Sequence, residues 1–104
     1  MRGDVYELKS PRGAKRHEQR GNRYAVVVQS DLLPLSTWVV APTSTSARPA
    51  SFRPEVQIEG KSTLVLAEQI AAIDPERLGH LVGHLSQQEM ADVDHALKVV
   101  LQLP

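Results

Sequence analysis

Only one stretch of this chain carries the period of a helix, and it lies close to the end. Met90, Val93, Leu97, Val100 and Leu101 recur at spacings of three and four, behind Ser86-Gln-Gln-Glu89, the pattern of a capping box. Every other ordered-looking segment reads as strand. Asp4 to Lys9 alternates apolar and polar residues. Tyr24-Ala-Val-Val-Val-Gln29 is a β-branched run, the mark of a strand buried on both faces. Thr37 to Ala41 forms the next strand, and Pro42 is expected to stop it. Pro54 to Glu59 alternates, Gly60-Lys61 turns, and Ser62 to Ala67 returns. Ile70 to Ile73 adds a short apolar piece. Asp74-Pro75-Glu76 starts a brief helical turn, and Gly79 to Leu85 reads as the last strand. The pattern predicts a mainly β (α+β) fold: a small, strongly curved sheet or barrel with one C-terminal helix packed on it.

Residues 1–104 suffice for one domain and are too few for two. There are no cysteines, which excludes a disulfide scaffold, a Cys-ligated zinc site and a cysteine nucleophile. The apolar runs are far too short to span a bilayer, and Met1 to Lys9 lacks the apolar core of a signal peptide. A cytoplasmic location and no membrane partner are therefore expected. The formal net charge is zero. That average hides a gradient. Residues 1–54 carry nine Lys and Arg against four acids, a net +5, and residues 55–104 carry three against eight, a net −5. Such an asymmetry points the basic half toward an anionic partner, although charged loops alone produce the same count.

Two loops concentrate the chemistry. The segment from Ser10 to Asn22 has no apolar period and holds Arg12, Lys15, Arg16 and Arg20; loops of that length in small domains are usually functional or disordered. It closes on His17-Glu18-Gln19-Arg20-Gly21-Asn22-Arg23. The second loop opens on Thr43-Ser44-Thr45-Ser46. If the intervening strands pair antiparallel, these ends meet. They then offer guanidinium groups, hydroxyls, a carboxylate and an imidazole, a set suited to phosphodiester chemistry. The plainer alternative is a salt-bridged loop beside a solvated Ser/Thr turn. No phosphate-binding glycine motif or Gly-x-Ser-x-Gly elbow is present. His80 and His84 share one side of the last strand, but a third ligand would have to come from His95 or a carboxylate. Structural histidines are the expected reading, with no metal and no cofactor.

In their order, these pieces resemble the MazF/PemK/Kid family of toxin endoribonucleases. Arg2-Gly-Asp-Val-Tyr6 is similar to the family's first strand. Glu18-Gln19, then Gly21-x-Arg23 and Ala-Val-Val-Val-Gln-Ser-Asp31, resembles its Glu-Gln…Gly-x-Arg-Pro-strand signature. Val39-Val-Ala-Pro-Thr-Ser44 resembles its strand-Pro-x-Thr segment, and Ala67-Glu-Gln-Ile70 with Ile73-Asp74 and Arg77-Leu78 its approach to the closing strand and helix.

The resemblance implies an SH3-like small β-barrel with a C-terminal α-helix, paired as a homodimer. It implies metal-independent cleavage of single-stranded RNA at short motifs, leaving 2′,3′-cyclic phosphate and 5′-hydroxyl ends. It also implies a cognate antitoxin whose acidic tail blocks the groove. Arg23 and Ser44 fall on the family's catalytic Arg and Thr, and Glu18 on its loop acid. His17, Thr43, Thr45 and Glu68 are further candidates for the catalytic work. RNA contacts are expected from Lys15, Arg16, Arg20, Arg48, Phe52 and Gln69, with Phe52 as the stacking platform. Two departures stand out: Ser44 lacks the methyl of Thr, and Tyr24 occupies the family's Pro position. The family branch that uses the acid at Glu68 as base has an Arg two residues earlier, where this chain has Leu66. Arginine holds its proton too firmly to be a base, so Arg23 is expected to clamp charge while Glu18, or His17, takes the proton. Two other classes remain open: a gyrase-binding toxin of the same fold, and a family member that has lost catalysis.

Overall fold

The computed structural model describes residues 1–9 and 23–104, which form a curled antiparallel sheet closed on one side by a single helix. Among the described residues there are seven strands: β1 (Asp4–Leu8), β2 (Tyr24–Val27), β3 (Trp38–Ser44), β4 (Glu55–Ile58), β5 (Lys61–Val65), β6 (Ala71–Ile73) and β7 (Leu78–His84). The sheet order is β4-β5-β3-β2-β1-β7, with β6 also paired to β3. The helix α1 spans Gln87–Leu101. This is the mainly β barrel with a terminal helix that the sequence pattern predicts.

β2 lies between β1 and β3, and all four of its residues are buried. Its alternate side chains serve two different cores, which is why the run is apolar at every position. Val26, with Val5, Ala41, Val56, Ile58 and Val65, fills the concave face against Val93 of α1. Ala25 and Val27, with Val40 and Leu78, form the core of the other face, flanked by Tyr6 and Trp38. The Tyr6 and Trp38 rings meet edge to face at 5.8 Å. Each fully buried valine contributes about 1.5–3 kcal/mol of burial free energy.

Pro42 does not stop β3, which continues to Ser44. β3 pairs with β6 over Trp38 to Val40 and with β5 over Thr43 and Ser44. The carbonyl of Pro42 points to this side and accepts from Leu66 N at 2.8 Å. The amide hydrogen that proline lacks would point the same way, into the junction between the two partner strands, so no ladder bond is lost. The turn between β4 and β5 is Glu59-Gly60, both with positive φ (52° and 78°), the pairing that suits a two-residue hairpin.

The capping box of α1 forms as the sequence predicts: Ser86 Oγ accepts from Glu89 N at 3.1 Å, and Glu89 Oε1 accepts from Ser86 N at 2.9 Å. The buried stripe, however, is Met90, Val93, Ala96 and Leu97; Leu101 is 49% exposed. The sheet ends before the last helical turn, so Leu101 has nothing to pack against, while Val93 and Ala96 are fully buried. Asp74 caps the expected short turn at Pro75–Arg77 by accepting from Glu76 N at 2.8 Å. A second 3-10 turn, Ala67–Gln69, carries the chain from β5 to β6.

Candidate active site

The β2–β3 register brings together the two chain segments that hold the candidate residues. Ala25 pairs with Pro42 and Val26 with Ala41. Continued by two places, the same register sets Arg23 opposite Ser44. On the outer side, β1 holds this end of β2 through Leu8 N donating to Arg23 O at 2.9 Å. The two strands pair antiparallel, and the Arg23 guanidinium reaches the Thr43 carbonyl, one residue before Ser44.

A local exchange of partners aims Arg23 inward. In this register Tyr24 and Thr43 are a hydrogen-bonded pair, because Val28 N donates to Val39 O four places away. Yet Tyr24 N donates to the side-chain Oγ1 of Thr43, at 3.2 Å. The Thr43 carbonyl is left for the Arg23 guanidinium, whose Nη2 donates to it across a long 3.4 Å. Thr43 is 1% exposed. Its hydroxyl is therefore engaged in the sheet, beneath the surface that a substrate would touch. Tyr24 itself crosses the concave core, and its phenol donates to Glu59 Oε1 at 2.6 Å. The residue in the family's Pro position thus ties the base of Arg23 to the β4–β5 hairpin.

Ser44 is half-buried, and its Oγ accepts from Ser46 N at 3.1 Å and from Ala47 N at 3.0 Å. A hydroxyl has two acceptor positions and one donor. Both acceptor positions face the turn, and the remaining O–H lies 3.4 Å from Ser46 Oγ, a long contact that a phosphate oxygen can displace. The turn also fixes the rotamer, a job that the methyl of Thr would otherwise share. Thr45 is exposed on the same turn.

On the other side of β3, Glu68 accepts two hydrogen bonds from Arg53 at the same oxygen, Oε2, with Nη2 at 2.7 Å and Nε at 3.0 Å. These Arg53 bonds are the largest influence on the Glu68 carboxyl and, against partial burial, hold it below the ordinary carboxylate range; the Gln69 side chain adds to the effect. Glu68 Oε1 is buried and has no hydrogen-bond partner among the described residues. Arg53 Nη1 also donates to Arg48 O at 3.0 Å, and its guanidinium lies 5.5 Å from the Phe52 ring centroid. Arg48 and Gln69 are exposed and Phe52 is half-buried on this wall. Sequence reasoning passed over Arg53 as a site residue; a base two positions before a strand carries no motif. The expected contributions of Lys15, Arg16, His17, Glu18 and Arg20 lie outside the described residues.

Away from this wall, His84 Nδ1 is 2.8 Å from Asp4 Oδ1, and His80 is exposed. Burial, the largest influence on Asp4, pushes its carboxyl up. The His84 bond and the terminal ammonium together outweigh it and leave the carboxyl below its ordinary value. No metal-binding group of three ligands occurs among the described residues. Among those residues, no helix is long and apolar enough to cross a membrane.

A small curled barrel that sets an arginine opposite a hydroxyl at one sheet end defines the class of protein. The family description "PemK-like, MazF-like toxin of type II toxin-antitoxin system" matches residues 1–101. The chain belongs to that family. It is 43% identical over 104 residues to a candidate toxin of Mycobacterium tuberculosis, covering 99% of this chain and 98% of that protein. It is 34% identical over 112 residues to the endoribonuclease EndoA of Bacillus subtilis, covering 98% and 94%. Among solved structures, a mycobacterial endoribonuclease in complex with its cognate antitoxin shares the fold with a TM-score of 0.81 at 20% identity, covering 100% of this chain and 96% of that one. MazF of Deinococcus radiodurans does so with a TM-score of 0.73 at 24% identity, covering 97% and 94%.

Proposed function

We propose that this protein is an endoribonuclease toxin that cuts single-stranded RNA at short motifs without a metal ion. The observation that carries the reading is the antiparallel pairing of β2 with β3, which brings the Arg23 guanidinium to the Thr43 carbonyl beside Ser44. The ribose 2′-oxygen attacks the adjacent phosphorus as its proton passes to Glu18. The bond from phosphorus to the 5′-oxygen breaks, and that oxygen takes a proton from water. The products carry a 2′,3′-cyclic phosphate and a 5′-hydroxyl. Arg23 remains protonated throughout and clamps the charge that gathers on the phosphorane oxygens. Ser44 turns its O–H from the long Ser46 contact to one of them.

The support for this reading is chemical and comparative. Arginine forks and hydroxyl donors match phosphate geometry, and the relatives in Bacillus subtilis and Staphylococcus epidermidis are named endoribonucleases. The basic N-terminal half is where RNA docks. The same surface suits an antitoxin with an acidic C-terminal tail, in keeping with antitoxin complexes among the structural neighbours. We assign the protein to the cytoplasm, as a homodimer. Incubation of the purified protein with a long transcript in EDTA, followed by mapping of the ends, tests the reading. Cuts bearing cyclic phosphate and 5′-hydroxyl ends are expected. Intact RNA would overturn it, and intact RNA with inhibited gyrase would transfer the protein to the gyrase-binding class.

A further inference from the structure

The wall formed by Arg48, Phe52, Arg53, Glu68 and Gln69 has one side chain at its hub. The Arg53 guanidinium reaches Glu68 Oε2 through two N–H groups, Arg48 O through a third, and the Phe52 ring through its face. It thereby joins the loop before β4 to the 3-10 turn after β5. Arg53 is 23% and Glu68 25% exposed by side chain, so the pair is shielded enough to hold its geometry while remaining at the surface.

Its distance from Arg23 follows from the register. Tyr24 faces Thr43, Thr43 pairs with Val65, and Val65 N donates to Pro54 O at 2.9 Å. Arg23 and Arg53 therefore precede residues at opposite ends of one row that crosses three strand spacings, about 14 Å measured along the curled sheet. Arg53 is turned to Glu68 and Arg48 while Arg23 is turned to Thr43, so the two guanidinium groups serve different parts of the surface.

We propose that Arg53 is a positioning residue for RNA capture, which fixes Phe52, Arg48 and Gln69 as one rigid wall and uses Glu68 as its counter-charge rather than as the proton acceptor. The inference rests on the endoribonuclease reading. An anchored wall acts on capture, because an ordered platform spares the ordering entropy that a mobile loop loses on binding. A carboxylate that takes two arginine N–H groups at one oxygen is a poor base at neutral pH, in keeping with its lowered pKa.

The test uses Arg53→Ala, Arg53→Lys, Glu68→Gln and the double variant Arg53→Ala/Glu68→Gln. Cleavage of a long transcript is measured alongside affinity for a mixed-sequence 2′-O-methyl oligoribonucleotide, which cannot be cut. Arg53→Ala is expected to raise KM, and weaken oligonucleotide binding, by about tenfold with kcat within about threefold of wild type. Arg53→Lys, which keeps the charge but cannot span three partners, falls between them and guards against misfolding of the alanine variant. Glu68→Gln shows the same split with an unchanged kcat–pH profile, and the double variant is no worse than Arg53→Ala alone. A collapse of kcat in Glu68→Gln, or wild-type KM and affinity in a folded Arg53→Lys, overturns the inference. A wild-type protein that binds the oligonucleotide but cuts nothing overturns the endoribonuclease reading instead, and the affinity arm still tests Arg53.

Discussion

Thr43→Val isolates the device that aims Arg23. The substitution keeps the volume and removes the hydroxyl that accepts from Tyr24 N. Because the site is 1% exposed, water cannot replace that acceptor. A buried N–H left unsatisfied costs about 1–3 kcal/mol, and easier burial of a methyl than of a hydroxyl returns part of it. A net loss of about 1–2 kcal/mol corresponds to a fall of about 0.5–1 M in the urea midpoint of a small domain. The N–H can escape that cost by turning to the Thr43 carbonyl, and in doing so it displaces the Arg23 guanidinium. Cleavage is then expected to drop by at least about tenfold, since each ~1.4 kcal/mol of lost transition-state stabilisation is a factor of ten. Trp38, the single tryptophan and half-buried at the start of β3, reports unfolding by fluorescence at a fixed protein concentration. Thr43→Ser keeps the hydroxyl and should keep cleavage. A Thr43→Val protein that unfolds at the wild-type midpoint and cuts RNA at the wild-type rate would refute the exchange of partners.

Two further outcomes follow from charge. Asp4, Glu68 and Glu89 all have carboxyl groups held below their ordinary values in the fold. The unfolded chain therefore binds more protons at acid pH, so their stabilisation is present above the ordinary carboxylate range and is lost as pH falls through it. Urea midpoints from about pH 6 to about pH 3 should decline, and Asp4→Asn should flatten part of that decline. RNA binding should weaken steeply with salt despite the zero net charge, because the proposed docking surface is the basic half. A salt-insensitive affinity would argue against that half as the docking surface.

Much of this fold is legible in the sequence because short strands bury alternate residues and helices bury every third or fourth. The β2 run announced its two covered faces, and Ser86 with Glu89 announced the start of α1. Pro42 misled for a physical reason: a proline breaks a strand only where its amide is needed, and here it faces the gap between two partner strands. Leu101 misled because periodicity does not say where the supporting barrel ends. The proposal of Arg23 and Ser44 as site residues rests on the family resemblance; what was legible in the sequence is the antiparallel pairing of the strands that end on them. The separate roles of Thr43 and Ser44 were not. Two adjacent hydroxyls look alike in sequence, and only the structure turns one into the sheet and the other toward the surface. Arg53 was illegible for a similar reason: its partner Glu68 is 15 residues away and reached by no periodicity.

The most direct test of the account is the single-turnover cleavage rate of Arg23→Ala on a long transcript in EDTA, measured beside wild type. The loss of a preorganised cation from the phosphorane predicts a fall of about 10²–10³-fold or more, with the fold intact by circular dichroism. An Arg23→Ala protein that cuts at the wild-type rate would contradict it.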